Sequence, residues 1–379
     1  MKALWVSVNA QAGWVFLVGV VLVTLWNGYR WRYDRALALR LRGKQPESVS
    51  LRAWPKVSVL VAAWNEAHMI REHIESFLRL RYPNKELILC AGGDDGTYET
   101  ARQYAGERVV VLEQRPGERK QRALQHCLEQ AMGEVIFLTD ADCLLSDEAF
   151  ERTVAPVVNN EQAVVTGRYR PLPRQLGQPF VLHRWFTDLY AQARLHEYAN
   201  GVLGRNMALK ANVLRGIGGF NAHVETGIDY HLGKRIVAHG YRIRYVPDSI
   251  VKTPYPEDLA SYQRQQTRWL RNVVMHGLQF SAYGEVVQCL IPAAIGALML
   301  TGPLLGLCLG QIALVVGWLL AWVHVLLSRV RYMRFGQLLT AKSFKTGDYL
   351  RLPAYAIVDF GIWAVTLLQY PFKEWRTRW

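Results

Sequence analysis

Apolar and polar positions divide the chain into two membrane-like ends and a patterned middle. Ala3 to Tyr29 carries no charged residue. As a helix it is long enough to cross ~30 Å of hydrocarbon. Trp5, Trp14, Trp26 and Tyr29 give it aromatic ends, as expected where a span meets headgroups. The middle begins with the apolar run Val57–Ala63, which ends in Trp64-Asn65-Glu66. A helical pattern follows through Ile70, Ile74, Phe77, Leu78 and Leu80, and Pro83-Asn84 punctuates it. Glu86–Ala91 reads as a second strand, then comes the glycine-rich turn from Gly92 to Thr97. A short helix is expected over Thr100–Ala105, a strand over Val109–Leu112, a helix over Arg119–Met132 and a fourth strand over Val135–Leu138. Strands that alternate with helices predict a mostly parallel, doubly wound α/β sheet. Right-handed crossovers bring the ends of such strands to one edge. Glu66, Asp94, Asp95, Asp140 and Asp142 should therefore line one crevice.

Beyond Asp142 the pattern loosens. It predicts a strand over Ala163–Tyr169 and a helix over Phe180–Tyr198. Gly204–Leu209 and Gly216–Phe220 frame a short helix. A helix over Ile228–Ala238, a strand over Tyr241–Val246 and one or two helices between Pro256 and Phe280 complete this part. Leu290 to Ser328 is uncharged and exceeds one span, with a turn expected at Gly302-Pro303 or Gly310-Gln311. Leu352 to Tyr370 is a further candidate, interrupted by Asp359, an acid that is costly in a membrane unless paired. The expected boundaries are an anchor at 1–29, a basic linker at 30–54 and a catalytic domain at 55–255. Interfacial helices at 256–284 follow, then two spans at 285–328, a basic loop at 329–351, and a span or re-entrant helix with a basic tail at 352–379. Counting spans puts the basic tail (Lys373, Arg376, Arg378) outside, although basic residues prefer the cytoplasm, so one segment should re-enter or lie in the interface.

Charge sharpens this picture. The 379 residues carry a formal net charge of +14, which points to an anionic partner. Arg30, Arg32, Arg35, Arg40, Arg42 and Lys44 cluster behind the first apolar run. By the positive-inside rule that flank is cytoplasmic, and its charges suit an anionic lipid bilayer. No nucleic-acid-binding module is recognisable, so nucleic acid is not expected as a partner. Five scattered cysteines without C-x-x-C spacing argue against a disulfide framework or a zinc site, and fit a reducing cytosol. His183, His196, His223 and His231 lack metal-ligand spacing. The phosphate loop G-x-x-x-x-G-K-[ST] and the nucleophile elbow G-x-S-x-G are both absent.

The stretch Gly133–Cys143 holds the most informative chemistry. A buried strand empties into Thr139-Asp140-Ala141-Asp142. In extended backbone Asp140 and Asp142 point the same way. Two carboxylates at the carboxyl edge of such a sheet are well placed to hold Mg2+ or Mn2+ through oxygen and to bridge nucleotide phosphates. The competing reading is a solvated turn with a helix cap. Farther on, Gln265, Arg268 and Trp269 fall at i, i+3 and i+4, on one helix face. Arg268 can meet phosphate bidentately and Trp269 can stack on a sugar. An amphipathic interfacial helix explains the same pattern.

Taken in order, these segments resemble the membrane-integrated family 2 glycosyltransferases of the GT-A fold. The resemblance runs from about Pro55 to Asn272. It rests on VLVAAWNEAHMIREHIESFLRLRYPNKELI, PGERKQRAL, TDADC, GRNMALKANVLRGIGGF, GIDYHLGKRIVAHGYRIRYVP and the Gln-x-x-Arg-Trp of RQQTRW. It implies a metal and diphosphate site at Asp142 with Asp140, and donor contacts from Ala63, Asn65, Glu66, Asp95, Lys120 and Asp140. It further implies an acceptor and diphosphate role for Gln265, Arg268 and Trp269, and a general base at Asp229. An aspartate is a weak base at its ordinary pKa, so burial should raise Asp229, with Ile228 helping to desolvate it. A helix-capping role is the alternative for Asp229, and a turn-forming role for Asp95. The chain departs from the family pattern twice. Cys90-Ala91-Gly92-Gly93 stands where an aspartate often serves the nucleobase. Ile228-Asp229 stands where Glu-Asp is common, with Glu225 three residues out of register.

The expected function is inverting transfer of a sugar from a nucleotide-sugar, a UDP-sugar by resemblance, to a membrane lipid. The expected setting is a bacterial inner or plasma membrane with a cytoplasmic catalytic domain. The alternatives are a processive polysaccharide synthase, for which a homo-oligomer could build the channel, and a non-catalytic nucleotide-sugar-binding scaffold.

Overall fold

The computed structural model describes residues 2–46, 48–220, 224 and 226–369. In chain order the elements are α1 (Lys2–Gly43), β1 (Val57–Trp64), α2 (Ala67–Leu78), β2 (Lys85–Gly92), α3 (Thr97–Arg102), β3 (Val109–Glu113), α4 (Lys120–Gln130), β4 (Val135–Leu138), α5 (Asp147–Val158) and β5 (Val164–Pro171). There follow α6 (Pro179–Gln192), β6 (Tyr198–Ala199), β7 (Met207–Lys210), α7 (Ala211–Gly216), α8 (Ile228–Ala238), β8 (Ile243–Thr253), α9 (Leu259–Gln279), α10 (Tyr283–Cys308), α11 (Ile312–Thr340), α12 (Thr346–Tyr349) and α13 (Leu352–Gln369). They sort into two compact units: one formed by 46–176 with 194–255, the other by 1–45, 177–193 and 256–379.

The first unit is built on a mixed, mostly parallel sheet, ordered β3-β2-β1-β4-β7-β5-β8-β6. β1 lies parallel between β2 and β4, with Val59 opposite Leu87 on one side and Phe137 on the other. β7 is antiparallel to both β4 and β5. β2 and β4 are buried along their whole length, which is why they read as continuous apolar runs rather than alternating ones. α2 turns Met69, Ile70, Ile74 and Phe77 to the core. α4 turns Ala123, Leu124, Cys127 and Leu128 inward. Phe77, Phe137 and Phe150 are fully buried, each contributing ~1.5–3 kcal/mol of transfer free energy.

Several boundaries differ from expectation for local reasons. α3 starts at Thr97 because the Asp95 carboxylate accepts from the Thr97 N–H at 3.0 Å and from its hydroxyl at 2.5 Å. α5 fills the stretch that reads as loosened pattern. Ser146 Oγ caps it, accepting from the Ala149 N–H at 3.4 Å, and Asp147 and Glu148 occupy its positive first turn. α6 ends at Gln192, and Tyr198–Ala199 instead pairs with Arg244–Ile243 of β8.

The second unit is helical. Three helices among the described residues are long and apolar enough to cross a membrane: Ala12–Gly43, Tyr283–Cys308 and Ile312–Thr340. The turn between the last two falls at Gly310-Gln311, where Gly310 takes φ +62. Pro303 stays within α10. Gly302 instead lets α11 approach, since a Cβ there would lie 2.6 Å from Trp318 Cδ1. α11 runs on through Arg329 to Thr340, so the first part of the stretch expected as a basic loop is helix. Asp359 on α13 is buried and paired. Arg329 Nη1 stands 2.6 Å from its Oδ2, Arg184 Nη1 stands 3.9 Å from its Oδ1, and the Tyr262 hydroxyl donates to it. Arg30 is held against its own unit, donating to the Tyr190 hydroxyl at 2.8 Å and lying 3.7 Å from Asp34. Lys373, Arg376, Arg378, His223 and Glu225 lie outside the described residues.

Candidate active site

β4 ends at Leu138, and Asp140 and Asp142 follow at the carboxyl edge of the sheet. Asp140 is gripped from two sides. Lys120, the first residue of α4, makes a short charge-assisted hydrogen bond to Oδ1, and Arg205 Nε donates to Oδ2 at 3.1 Å. Burial pushes the Asp140 carboxyl up, but the two cations outweigh it and hold the group well below the usual carboxylate range. Asp142 is more loosely engaged, accepting from Thr253 Oγ1 at 3.4 Å and facing Cys143 Sγ at 3.5 Å. Arg205 Nη1 donates in turn to Thr253 Oγ1 at 3.4 Å. Its guanidinium carbon lies 5.4 Å from the centre of the Tyr169 ring.

Asp229 sits in the first turn of α8. Burial raises its pKa above the ordinary 3.8, and Asp140 raises it further. Lys120, Arg205 and a hydrogen bond from the Gly204 N–H pull against that rise without cancelling it. The loop before β7 has closed onto this carboxylate. A Cβ on Gly204 would lie 2.2 Å from Asp229 Oδ1. One turn along α8, a Cβ on Gly233 would lie 2.9 Å from Gly201 Cα. Gly204 thus lets the loop backbone meet the Asp229 carboxylate, and Gly233 lets the helix backbone meet the loop backbone. Asn206 locks the same loop from below. Its amide nitrogen donates to Ser249 Oγ at 2.9 Å, and its oxygen accepts from Thr153 at 2.9 Å.

The end of β1 supplies the opposite wall. Glu66 is pushed up to about 7, first by burial, then by Asp142 and Asp140, with Lys120 opposing. Asn65, at φ +58, accepts from the Asp94 N–H at 2.9 Å. The Asp95 carboxylate bridges the starts of α2 and α3 through the N–H groups of Ala67 and Thr97, the turn-forming arrangement. Ala63 is fully buried within the sheet. Trp64, in contrast, is 41% exposed, and its ring lies over Gly92, where a Cβ would approach Cζ3 to 2.9 Å. In the helical unit, Gln265, Arg268 and Trp269 share a face of α9, Arg268 exposed and the other two half-buried.

Sequence reasoning singles out Asp140, Asp142, Lys120 and Asp229, and the fold brings all four together. It does not single out Arg205, Gly204, Thr253 or Trp64 as site residues. For Arg205 and Thr253 no local signal exists, because their partners are far away in the chain. Gly204 and Trp64 do carry one: a glycine beside a charged residue ahead of a strand, and a large aromatic at a strand end.

The residues fit a hard divalent cation. Asp142 offers carboxylate oxygen outside the Lys120–Asp140–Arg205 cluster, and Asp142 and Asp140 add to the rise that burial causes at Glu66, a concentration of negative charge that a cation would relieve. Among the described residues no three His, Cys, Asp or Glu side chains converge as a complete ligand set. Proteins usually hold Mg2+ through one or two carboxylates with substrate phosphates completing the shell, and Asp140 and Asp142 are two carboxylates at this edge.

Comparison with known proteins agrees with this geometry. Residues 55–272 match the model of a family described as "Glycosyltransferase like family 2". A probable glycosyltransferase of Bacillus subtilis, YdaM, is 26% identical over 249 residues, covering 62% of this chain and 59% of that protein. The poly-beta-1,6-N-acetyl-D-glucosamine synthase of Staphylococcus epidermidis is 25% identical over 250 residues, covering 62% of this chain and 57% of the other. The matches thus span little more than half the length of these relatives. A mannosyltransferase from Pyrobaculum calidifontis, solved with GDP-Man and Mn2+, shares the fold at a TM-score of 0.55 and 18% identity, covering 97% of this chain and 99% of that one. With the family model covering more than half of its length, the chain belongs to glycosyltransferase family 2.

Proposed function

We propose that the chain transfers a sugar from a nucleotide-sugar, a UDP-sugar by family resemblance, to a membrane lipid, with inversion at the anomeric carbon. The observation that carries this reading is the convergence of a half-buried, raised-pKa Asp229 with the Asp140–Lys120–Arg205 cluster at one sheet edge. Lys120 and Arg205 meet the charge that develops on the departing diphosphate. Asp229 takes the proton of the acceptor hydroxyl while the hydroxyl oxygen attacks the anomeric carbon from the face opposite the leaving group. The bond from that carbon to the diphosphate oxygen breaks, and the proton ends on the Asp229 carboxylate. Asp142, with Asp140, would hold Mg2+ or Mn2+, which would supply Lewis-acid stabilisation of the diphosphate. The exposed Trp64 ring gives a nucleobase a surface on which to stack. The acceptor and diphosphate role of Gln265, Arg268 and Trp269 rests on the family resemblance alone.

The lipid acceptor is inferred from the three apolar helices. The cytoplasmic placing of the catalytic unit rests on the basic cluster from Arg30 to Lys44. The names of the synthase relatives support a second reading, in which the product is a polysaccharide. Incubating membranes with a panel of nucleotide-sugars and analysing the products by mass spectrometry separates the two. One sugar on an organic-extractable lipid supports the proposal. A long water-soluble chain supports the synthase reading, and no turnover with any donor refutes both.

A further inference from the structure

His73 lies on the buried face of α2, fully shielded from solvent. A lone histidine there would ordinarily pass for core. Its hydrogen bond says otherwise: Nδ1 stands 2.6 Å from the carbonyl oxygen of Cys143, the residue directly after Asp142. A carbonyl only accepts, so Nδ1 carries the hydrogen and the ring is the donor. Nε2 has no hydrogen-bond partner among the described residues. One turn on, Ser76 Oγ donates to the His73 carbonyl at 2.7 Å and accepts from the Leu145 N–H at 3.0 Å. α2 therefore grips the chain at Cys143 and Leu145. From the other side, β8 binds the intervening residue, with Leu144 N–H donating to the Lys252 carbonyl at 2.8 Å. Within the turn, Cys143 N–H donates to the Asp140 carbonyl at 3.1 Å. Asp142 is thus the side chain of a turn whose exit is clamped at three consecutive residues. The same helix begins beside Glu66, on the wall facing that turn.

We propose that His73 is a positioning residue that fixes the Asp140–Cys143 turn so that Asp142 presents its carboxylate to the divalent cation. This rests on the metal reading of Asp142 given above. The Asp142 carboxylate is carried on this turn, so the hydrogen bond to the Cys143 carbonyl sets its aim, as outer-shell partners do in other metal sites. The Cys143 carbonyl needs one donor and nothing more from the ring. Asparagine can place an amide nitrogen close to where Nδ1 lies, whereas leucine fills the space and donates nothing.

The test is a titration of the full detergent-solubilised chain with Mn2+ and uridine diphosphate, read by electron paramagnetic resonance as bound against free Mn2+. Loss of an outer-shell partner typically weakens metal binding ~10-fold or more, so His73→Leu should show that shift and His73→Asn should restore most of it. Ser76→Ala, a smaller change that removes the parallel clamp, should shift Mn2+ affinity the same way and serves if His73→Leu does not fold. A histidine that merely fills the core would lower the melting temperature and leave Mn2+ affinity in place. Wild-type Mn2+ affinity in folded His73→Leu, or in Ser76→Ala, alongside loss of binding in Asp142→Ala overturns the inference alone. Wild-type affinity in Asp142→Ala overturns the metal reading, and this inference with it.

Discussion

Replacing Gly204 by alanine tests the assignment of Asp229 most sharply, because the perturbation is one methyl group aimed at one carboxylate. The added Cβ would lie 2.2 Å from Oδ1, 2.5 Å from Cγ and 2.8 Å from Oδ2 of Asp229. No real Cβ tolerates such distances, so the carboxyl must move by the better part of an ångström. α8 cannot simply retreat, since Leu232 and Ile236 on it are packed in the core. Nor can the loop, which Asn206 ties to Ser249 and Thr153. A displacement of that size at a general base costs on the order of 100-fold in turnover. Lys120, Asp140 and Asp142 belong to other elements, and Arg205, next in the chain, is held by Asp140 and Thr253, so the KM for donor should stay within ~3-fold of wild type, the signature of an interaction made in the transition state. Gly201→Ala, in the same loop but with nothing within 4 Å of its Cβ, is the matched control. The assay is initial-rate product formation at saturating donor, with melting curves to confirm folding. Gly204→Ala turning over like Gly201→Ala would refute the reasoning: either Asp229 is not the base, or the loop yields freely.

Two further predictions concern charge. Because the folded-state pKa of Asp229 lies above its ordinary value, ionising it in the fold costs stability. That cost is absent below its unfolded pKa and grows as pH rises through the folded one. Asp229→Asn should therefore melt higher than wild type at neutral pH while losing at least ~100-fold in turnover, and wild-type activity should fall on acidification at a pH above 3.8. A variant both active and no more stable contradicts this. In the helical unit, Asp359→Leu strips Arg329 of its 2.6 Å partner, an uncompensated buried charge worth ~3–5 kcal/mol. Thermal unfolding in detergent should show a clear drop, and an unchanged transition would count against the pair.

The parallel half of the sheet is readable in the sequence because its strands are buried on both faces. Runs such as Val57–Ala63 and Val135–Leu138 are too short for helices and rich in β-branched residues, so they read as strands, and the acids that follow them fall at one edge by topology. α5 carries its own signal, since Ala149, Phe150, Val154, Val157 and Val158 recur at helical spacing behind Ser146-Asp147-Glu148, an adequate helix start, and Pro156 within the run is what makes it easy to pass over. β6 and β7 are too short to show a period, and exist because β8, β4 and β5 offer them partners. The same holds within the site. Asp140 and Asp142 declare themselves by spacing, whereas Arg205 becomes a site residue only once β7 pairs with β4 and delivers the loop ahead of it. Asp359 reads as a misfit in an apolar segment until Arg184, Arg329 and Tyr262, each from a different helix, surround it.

The account turns on a nucleoside diphosphate leaving from a cation held at Asp142. Release of nucleoside diphosphate from a panel of nucleotide-sugars, measured against Mn2+ concentration for wild type and Asp142→Ala, tests that directly. The account predicts Mn2+-dependent release by wild type that Asp142→Ala reduces by at least ~100-fold, the loss expected when charge stabilisation of the transition state is removed. Equal release by the two proteins, or release by wild type that ignores Mn2+ and Mg2+ alike, would contradict it.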